Sequence, residues 1–174
     1  SGLAVSGPPG TYTLQFDATT AGYTPVVSGN LVLTVGPASQ LSLTTPPPAT
    51  VASGAAFVPA PVVQLRDGFG NPVLSQGIAI TATVASGPGG STLTNAVATT
   101  DAAGAATFTG LSLSGTAGDY TLAFAGTGLA TVTSGTVALT AGGGSKLAVT
   151  TQPSVTAVNG AVFRAHPVLQ LQDA

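Results

Sequence analysis

Cysteine, methionine, tryptophan and glutamate are all missing from this 174-residue chain. Without cysteine, no disulfide framework staples it and no thiol carries redox or metal chemistry. Charge is scarce as well. Asp, Lys and Arg together make up 5%, against about 25% in an ordinary globular domain. The acids are Asp17, Asp67, Asp101, Asp119 and Asp173, the bases are Arg66, Lys146 and Arg164, and the one histidine is His166. A net charge of −2 leaves no basic footprint for nucleic acid and no polybasic patch for a membrane surface. No run approaches the roughly 18 apolar residues of a membrane span, and the longest, around Ala55 to Val63, is broken by Pro59 and Pro61. No secretory leader is visible and the first residue is Ser1, so the sequence is expected to be a piece of something longer.

What is present is turn residues and alternation. There are 24 Gly and 13 Pro, interleaved with runs of Val, Leu and Thr, a turn-rich β composition rather than a disordered one. The most telling stretch is Gly118-Asp119-Tyr120-Thr121-Leu122-Ala123-Phe124, with a near copy at Gly10-Thr11-Tyr12-Thr13-Leu14-Gln15-Phe16. In both, three large apolar side chains alternate with small or polar ones, which places Tyr, Leu and Phe on one face of a strand.

The copying extends along the chain. Leu41-Ser42-Leu43-Thr44-Thr45 returns as Leu147-Ala148-Val149-Thr150-Thr151, Phe57 as Phe163, and Pro61 to Asp67 as Pro167 to Asp173, each displaced by 106 residues. Tyr12 and Tyr120 are 108 apart and Ser28 and Ser134 are 106 apart, a difference absorbed in the loop near Asp17 to Gly22, where length is tolerated. Three stretches follow: 1–37 as the back part of one unit, 38–143 as a complete unit, and 144–174 as the front part of a third. A repeat of this length fits a sandwich domain, not a short solenoid repeat.

Within the complete unit, Leu41 and Leu43 point inward from the first strand, with Ser42 and Thr44 outward. Pro46-Pro47-Pro48 forbids ladder donation and makes an edge or crossover segment. Val63 and Leu65 point inward from the second strand, and Asp67-Gly68-Phe69-Gly70-Asn71-Pro72 is a turn. Ile78, Ile80, Ala82 and Val84 line the third strand, and Leu93 and Val97 belong to a weaker middle section. Asp101-Ala102-Ala103-Gly104 turns into a strand with Ala106 and Phe108 inward. The Tyr120 strand and a last strand with Val137 and Leu139 complete seven or eight short strands, with no helical periodicity. This pattern predicts an all-β sandwich.

The order and spacing of these turns resemble bacterial immunoglobulin-like tandem repeats of the invasin and intimin type. The residues that carry the resemblance are Gln64 to Val73, Thr99 to Phe108, and Gly118-Asp119-Tyr120-Thr121-Leu122. It covers the whole chain through its repeats. Tyr12 and Tyr120 also look like the tyrosine corner of immunoglobulin folds, with Leu122 where antibody domains place a disulfide cysteine. The resemblance implies an immunoglobulin-like β-sandwich and a rod-like extracellular stalk or adhesin.

A residue essential to each unit recurs in each unit, and most polar candidates fail that test. His166 corresponds to Ala60, Arg164 to Val58, Arg66 to Gln172, Lys146 to Gln40 and Asp119 to Thr11. A lone His166 offers neither a triad nor a ligand set. Asp67 and Asp173 do recur. One reading makes them calcium ligands at a domain junction, but calcium takes about six to eight oxygens from several groups; the other has each Asp hydrogen-bonding its own turn. An isopeptide bond through Lys146 fails because the complete unit has no matching Lys. Gly87 to Gly90 and Gly142 to Gly144 lack the Lys-Ser/Thr that follows a phosphate-binding loop. The expectation is therefore no catalytic, cofactor-binding or metal site, and no enzyme.

The expected role is structural: a repeat of an extracellular filament or cell-surface stalk. The alternative is an adhesin module binding a host or carbohydrate surface through loops such as Gly68 to Pro72. Outward positions such as Val62, Gln64, Thr107, Thr109, Thr121 and Ala123 carry almost no charge, whereas β proteins ordinarily guard exposed faces with it. The expected partners are other copies of the chain, by polymer contacts, lateral packing or strand complementation, and O-linked glycan on the many threonines. Asn-x-Ser/Thr does not occur.

Overall fold

The computed structural model describes residues 2–19, 22–156 and 158–172. Among these there is no helix. The leading stretch forms β1 (Gly10–Tyr12), β2 (Gln15–Phe16), β3 (Val26–Val27) and β4 (Leu31–Leu33). The central stretch forms β5 (Gln40–Thr45), β6 (Thr50–Ala52), β7 (Val62–Arg66), β8 (Ala79–Ser86), β9 (Thr92–Thr94), β10 (Val97–Thr99), β11 (Ala105–Thr107), β12 (Ser112–Ser114), β13 (Gly118–Ala125), β14 (Val132–Thr133) and β15 (Val137–Thr140). The trailing stretch forms β16 (Lys146–Thr151) and β17 (Val168–Gln172).

The central stretch is an immunoglobulin-like β-sandwich. One sheet runs in the order β10-β8-β13-β15-β6, with β14 also paired to β13; the facing sheet runs β11-β7-β5, and β9 pairs with β12. Strand alternation decides what lies between them. From the smaller sheet come Leu41, Val63, Leu65 and Ala106; from the larger come Ile80, Ala82, Tyr120, Leu122, Phe124, Val137 and Leu139, all buried. Phe108 and Phe124 meet edge to face, their ring centroids 5.0 Å apart, a favourable quadrupole arrangement. The three prolines behave as expected: β5 lies in one sheet and β6 in the other, so Pro46 to Pro48 is the crossover.

Three details differ from the sequence reading. The central stretch has eleven strand segments rather than seven or eight. Part of the excess is β13, which pairs β15 through Gly118 to Tyr120 and β14 through Ala123 and Phe124, so one return strand is read as two. The weaker middle section also divides: β9 pairs β12, whereas β10 pairs β8. In β10 it is Ala98 that enters the core, while Val97 is 61% exposed. Leu111 and Leu113 were assigned to no strand, yet both are fully buried.

The tyrosine corner is present. Tyr120 Oη donates to the Thr116 carbonyl at 2.8 Å, and Ser134 Oγ accepts from Leu122 N–H at 2.9 Å while donating to the Gly135 carbonyl at 2.7 Å. The leading stretch repeats each of these bonds. Tyr12 Oη donates to the Pro8 carbonyl at 2.6 Å, Leu14 N–H donates to Ser28 Oγ at 2.9 Å, and Ser28 Oγ donates to the Gly29 carbonyl at 2.8 Å.

Strand registers repeat too. β5 and β7 pair as Gln40↔Arg66, Leu41↔Leu65, Ser42↔Gln64, Leu43↔Val63 and Thr45↔Val62, with an irregularity before Thr45. β16 and β17 pair as Lys146↔Gln172, Leu147↔Leu171, Ala148↔Gln170, Val149↔Leu169 and Thr151↔Val168, with the irregularity before Thr151. At the front, Gly10↔Leu33 and Tyr12↔Leu31 copy Gly118↔Leu139 and Tyr120↔Val137. What the ends lack is cover: Phe16, Val26, Leu147, Leu169 and Leu171 are all exposed, whereas Leu65 and Phe124 at the matching central positions are fully buried.

Candidate functional site

Two turns of the central sandwich share one construction, Asp-x-x-Gly-x. In Asp101 to Ala105, one carboxylate oxygen, Oδ1, accepts the N–H of Ala103 at 2.9 Å and of Ala105 at 3.0 Å. In Asp67 to Asn71, Oδ1 accepts the N–H of Phe69 at 3.0 Å and of Asn71 at 2.8 Å. The glycine in fourth place is left-handed in both, with φ of 84° at Gly70 and 74° at Gly104, a conformation costly for residues with a Cβ. The sequence reading of Asp67 as the acceptor of its own turn thus describes the geometry.

Asp67 differs from Asp101 in what its second oxygen does. Asp101 is exposed, whereas Asp67 is 2% exposed. Its Oδ2 accepts the Asn71 side-chain amide at 3.0 Å and the Gly36 backbone N–H at 3.1 Å. The same Asn71 amide donates to the Gly7 carbonyl at 3.1 Å. One turn therefore holds two separate points of the leading stretch, the segment entering β5 and the loop before β1. The Asn71 side-chain amide, assisted by the backbone N–H groups of Asn71, Gly36 and Phe69, outweighs burial and lowers the Asp67 carboxyl to about 2, because all of them favour the ionised form.

The surroundings fix this turn. Gln40 Nε2 donates to the Asp67 carbonyl at 2.6 Å, and Arg66 donates to Ser42 Oγ and to the Gly70 carbonyl, both at 2.6 Å. The Asp67 carboxylate thus presents its oxygens to N–H donors, the opposite polarity to the oxygen cage that calcium requires. Asp173, its counterpart in the calcium reading, lies outside the described residues. No three of His, Asp or other ligating side chains gather among the described residues.

The remaining candidates are scattered. His166, Arg164 and Lys146 are exposed on the trailing stretch, Asp119 is exposed on β13, and Arg66 is half-buried. They form no shared constellation. Sequence reasoning missed the roles of Gly36, Gly7 and the Asn71 amide. A signal was available, since Gly36 returns as Gly142 at 106 residues and Gly7 as Gly115 at 108, the same offsets as the strands they flank.

Residues 36–141 match the family described as SMCHD1 Ig-like domain 6, and this stretch contains β5 to β15. The chain belongs to that family of Ig-like domains. Among solved structures, the Ig-like chain is similar to a β-glucuronidase from Parabacteroides merdae at 19% identity over 63% of this chain and 14% of that one, with a TM-score of 0.37. It is also similar to domains 4–9 of the surface layer protein SbsC at 16% identity over 92% of this chain and 24% of that one, with a TM-score of 0.41. The Ig-like chain thus spans less than a quarter of either structure's length. No curated protein matches it.

Proposed function

We propose that this Ig-like chain is a structural repeat of an extracellular filament or cell-surface stalk, a tandem array of sandwiches of the invasin and intimin type. In this reading, 1–37 is the C-terminal part of one unit, 38–143 a whole unit and 144–174 the N-terminal part of the next. The observation that carries it is the repetition of register. The β16–β17 ladder copies β5–β7 pair for pair, including its irregularity, and β1–β4 copies β13–β15. The apolar face of the β16–β17 ladder is exposed and that of β1–β4, with Tyr12 and Leu33 half-buried, is only partly covered, and the matching faces of β5–β7 and β13–β15 are the two halves of the central core. Each end is half of such a core, awaiting its other half. The work is mechanical, with no catalysis: each unit buries its own core and stacking extends the rod.

The nearly uncharged outer faces are read as contacts with other copies or as ground for O-linked glycan. On β8 the outward Ala79, Thr81, Thr83 and Ala85 are all exposed. A second reading, an adhesin binding through the Gly68 to Pro72 loop, draws on the 70% exposed Phe69 at its tip. It is weakened by the engagement of Asp67 and Asn71 with the leading stretch. Limited proteolysis of residues 1–174 tests the array: a resistant core near 38–143 with digested ends is expected, and uniform protection of a monomer refutes it. Negative-stain microscopy of native material then separates regular polymers from single rods.

A further inference from the structure

Asp67 and Asn71 tie together three places that a single sandwich has no need to join: their own turn, Gly36 and Gly7. We infer that this turn is the latch between consecutive units, fixing the angle at which one sandwich meets the next and releasing it in acid. The latch rests on the tandem reading and specifies its joint.

The geometry separates holding the turn from holding the neighbour. Oδ1 of Asp67 serves the turn, through Phe69 N–H and Asn71 N–H. Oδ2 serves the junction, through Gly36 N–H and the Asn71 amide, which in turn reaches Gly7. The comparable turn at Asp101 needs no second oxygen and stays at the surface. Asp67 is the nearest neighbour of Gly36, its Cβ and Oδ2 lying 3.5 Å from the place a Cβ would take. The latch residues recur in sequence, Gly142 for Gly36 and Asp173 for Asp67 at 106 residues, with Asp173 outside the described residues.

Two other charged residues stand near the joint: Arg66 on β7, and Asp101 on the neighbouring turn, whose Gly104 carbonyl accepts from Leu65 N–H at 3.0 Å and whose own carboxylate is held by Ala103 and Ala105. Residues 2–9, 31–45 and 62–75 carry no other Asp, Lys, Arg or His. The Arg66 guanidinium is directed to Ser42 and Gly70. Asp67 is the carboxylate that bonds the junction groups, while Asp101 bonds its own turn, so acid reaches the joint through Asp67. Each carboxylate oxygen accepts from two donors, and protonation turns one of them into a donor and a poorer acceptor, which weakens the Gly36 bond together with the turn bonds.

The test is an NMR titration of the whole 174-residue chain from about pH 5 to about pH 1.5, following the backbone amides and the Asp67 carboxyl carbon. Phe69 and Asn71 amides follow Asp67 whether or not the joint exists. The latch requires that Gly36 follows it too, with the same midpoint near 2. Gly36→Pro removes the inter-unit donor and also fixes φ there and restricts Val35, whereas Gly36→Ala keeps the donor. In the native chain the latch requires the β4 amides to tumble at one rate with β8 and β13; in Gly36→Pro the Asp67 midpoint is expected to rise and the β4 amides are expected to tumble independently. Gly36→Ala is expected to behave as the native chain. A Gly36 amide that stays flat while Phe69 and Asn71 titrate overturns the latch. So does a Gly36→Pro chain with unchanged midpoint and unchanged tumbling. Failure of the tandem reading shows elsewhere, in uniform protease protection of the monomer, and leaves the titration untouched.

Discussion

Tyr120 combines the two kinds of stabilisation this fold relies on, a buried ring and a satisfied hydroxyl. Tyr120→Phe keeps the ring and loses the bond to the Thr116 carbonyl, at about 1 kcal/mol. Tyr120→Ala loses both and should cost roughly 3–5 kcal/mol. Urea titration of the two variants separates the contributions, and equal losses would mean that the ring is not packed as described. Glycine positions give a second matched pair. Gly70 and Gly104 are both left-handed, but a Cβ on Gly70 meets nothing within 4 Å, whereas one on Gly104 overlaps the Val73 carbonyl. Gly70→Ala should cost about 1–2 kcal/mol, the left-handed backbone alone, and Gly104→Ala distinctly more; comparable melting temperatures would contradict this. Asp67 sets the pH dependence. Its carboxyl is lowered to about 2 in the fold from about 3.9 in an unfolded chain. The unfolded chain binds the proton first, so the stabilisation from Asp67 is fully present above about pH 4 and lost as pH falls toward 2. The melting temperature of the native chain should fall across that window, and that of Asp67→Asn should start lower at neutral pH and change less.

At the scale of strands, the sequence and the structure agree wherever alternation involves large side chains. Tyr120, Leu122 and Phe124 could be placed on one face because three bulky residues at a period of two have no other way to share a core. Val63, Leu65, Ile80 and Phe108 were legible for the same reason. Ala98 was not, because the larger Val97 beside it draws the assignment, and only the pairing of β10 with β8 shows which of the two faces inward. Leu111 and Leu113 were hidden by the serines and glycines around them, which read as loop. The Asp67 turn was legible as a turn, but its junction contacts were not: the recurrence of Gly36 and Gly7 at the repeat offsets marks the positions without showing that their backbone groups bond Asp67 and Asn71. The repeated registers allow a comparison within one molecule. Leu65 and Leu171 occupy matching positions, one fully buried and the other 65% exposed. Leu65→Ala should destabilise the sandwich by about 2–5 kcal/mol, while Leu171→Ala in the same chain should leave its unfolding transition in place. A substantial loss from Leu171→Ala would mean that the trailing ladder is already covered.

Across the whole molecule, the scarcity of charge supplies its own probe of the array. Trypsin has three cleavage residues, Arg66, Lys146 and Arg164. Arg66 lies in β7, hydrogen-bonded and inside a closed sandwich, so it should be spared. Lys146 opens β16 and is exposed, and Arg164 stands in the loop before β17. Both should be cut in the 174-residue chain, because proteases need several residues of backbone free to be drawn out, and an uncovered two-stranded ladder opens easily. The repeat offset allows the third unit to be finished with the protein's own sequence, since Asp173 corresponds to Asp67. Residues 1–173 followed by a second copy of residues 68–143 restore the strands that cover Leu147, Leu169 and Leu171. In that longer polypeptide Lys146 takes the position of Gln40 in a complete sandwich and should become resistant. Arg164 takes the position of Val58, which is 79% exposed in the central unit, and should remain cleavable. Leu171→Ala should now cost what Leu65→Ala costs. A polypeptide in which Lys146 is cut as fast as before, with the third unit showing no cooperative unfolding of its own, would sink the tandem reading; one in which only Arg164 is cut would support a rod built from sandwiches of this kind.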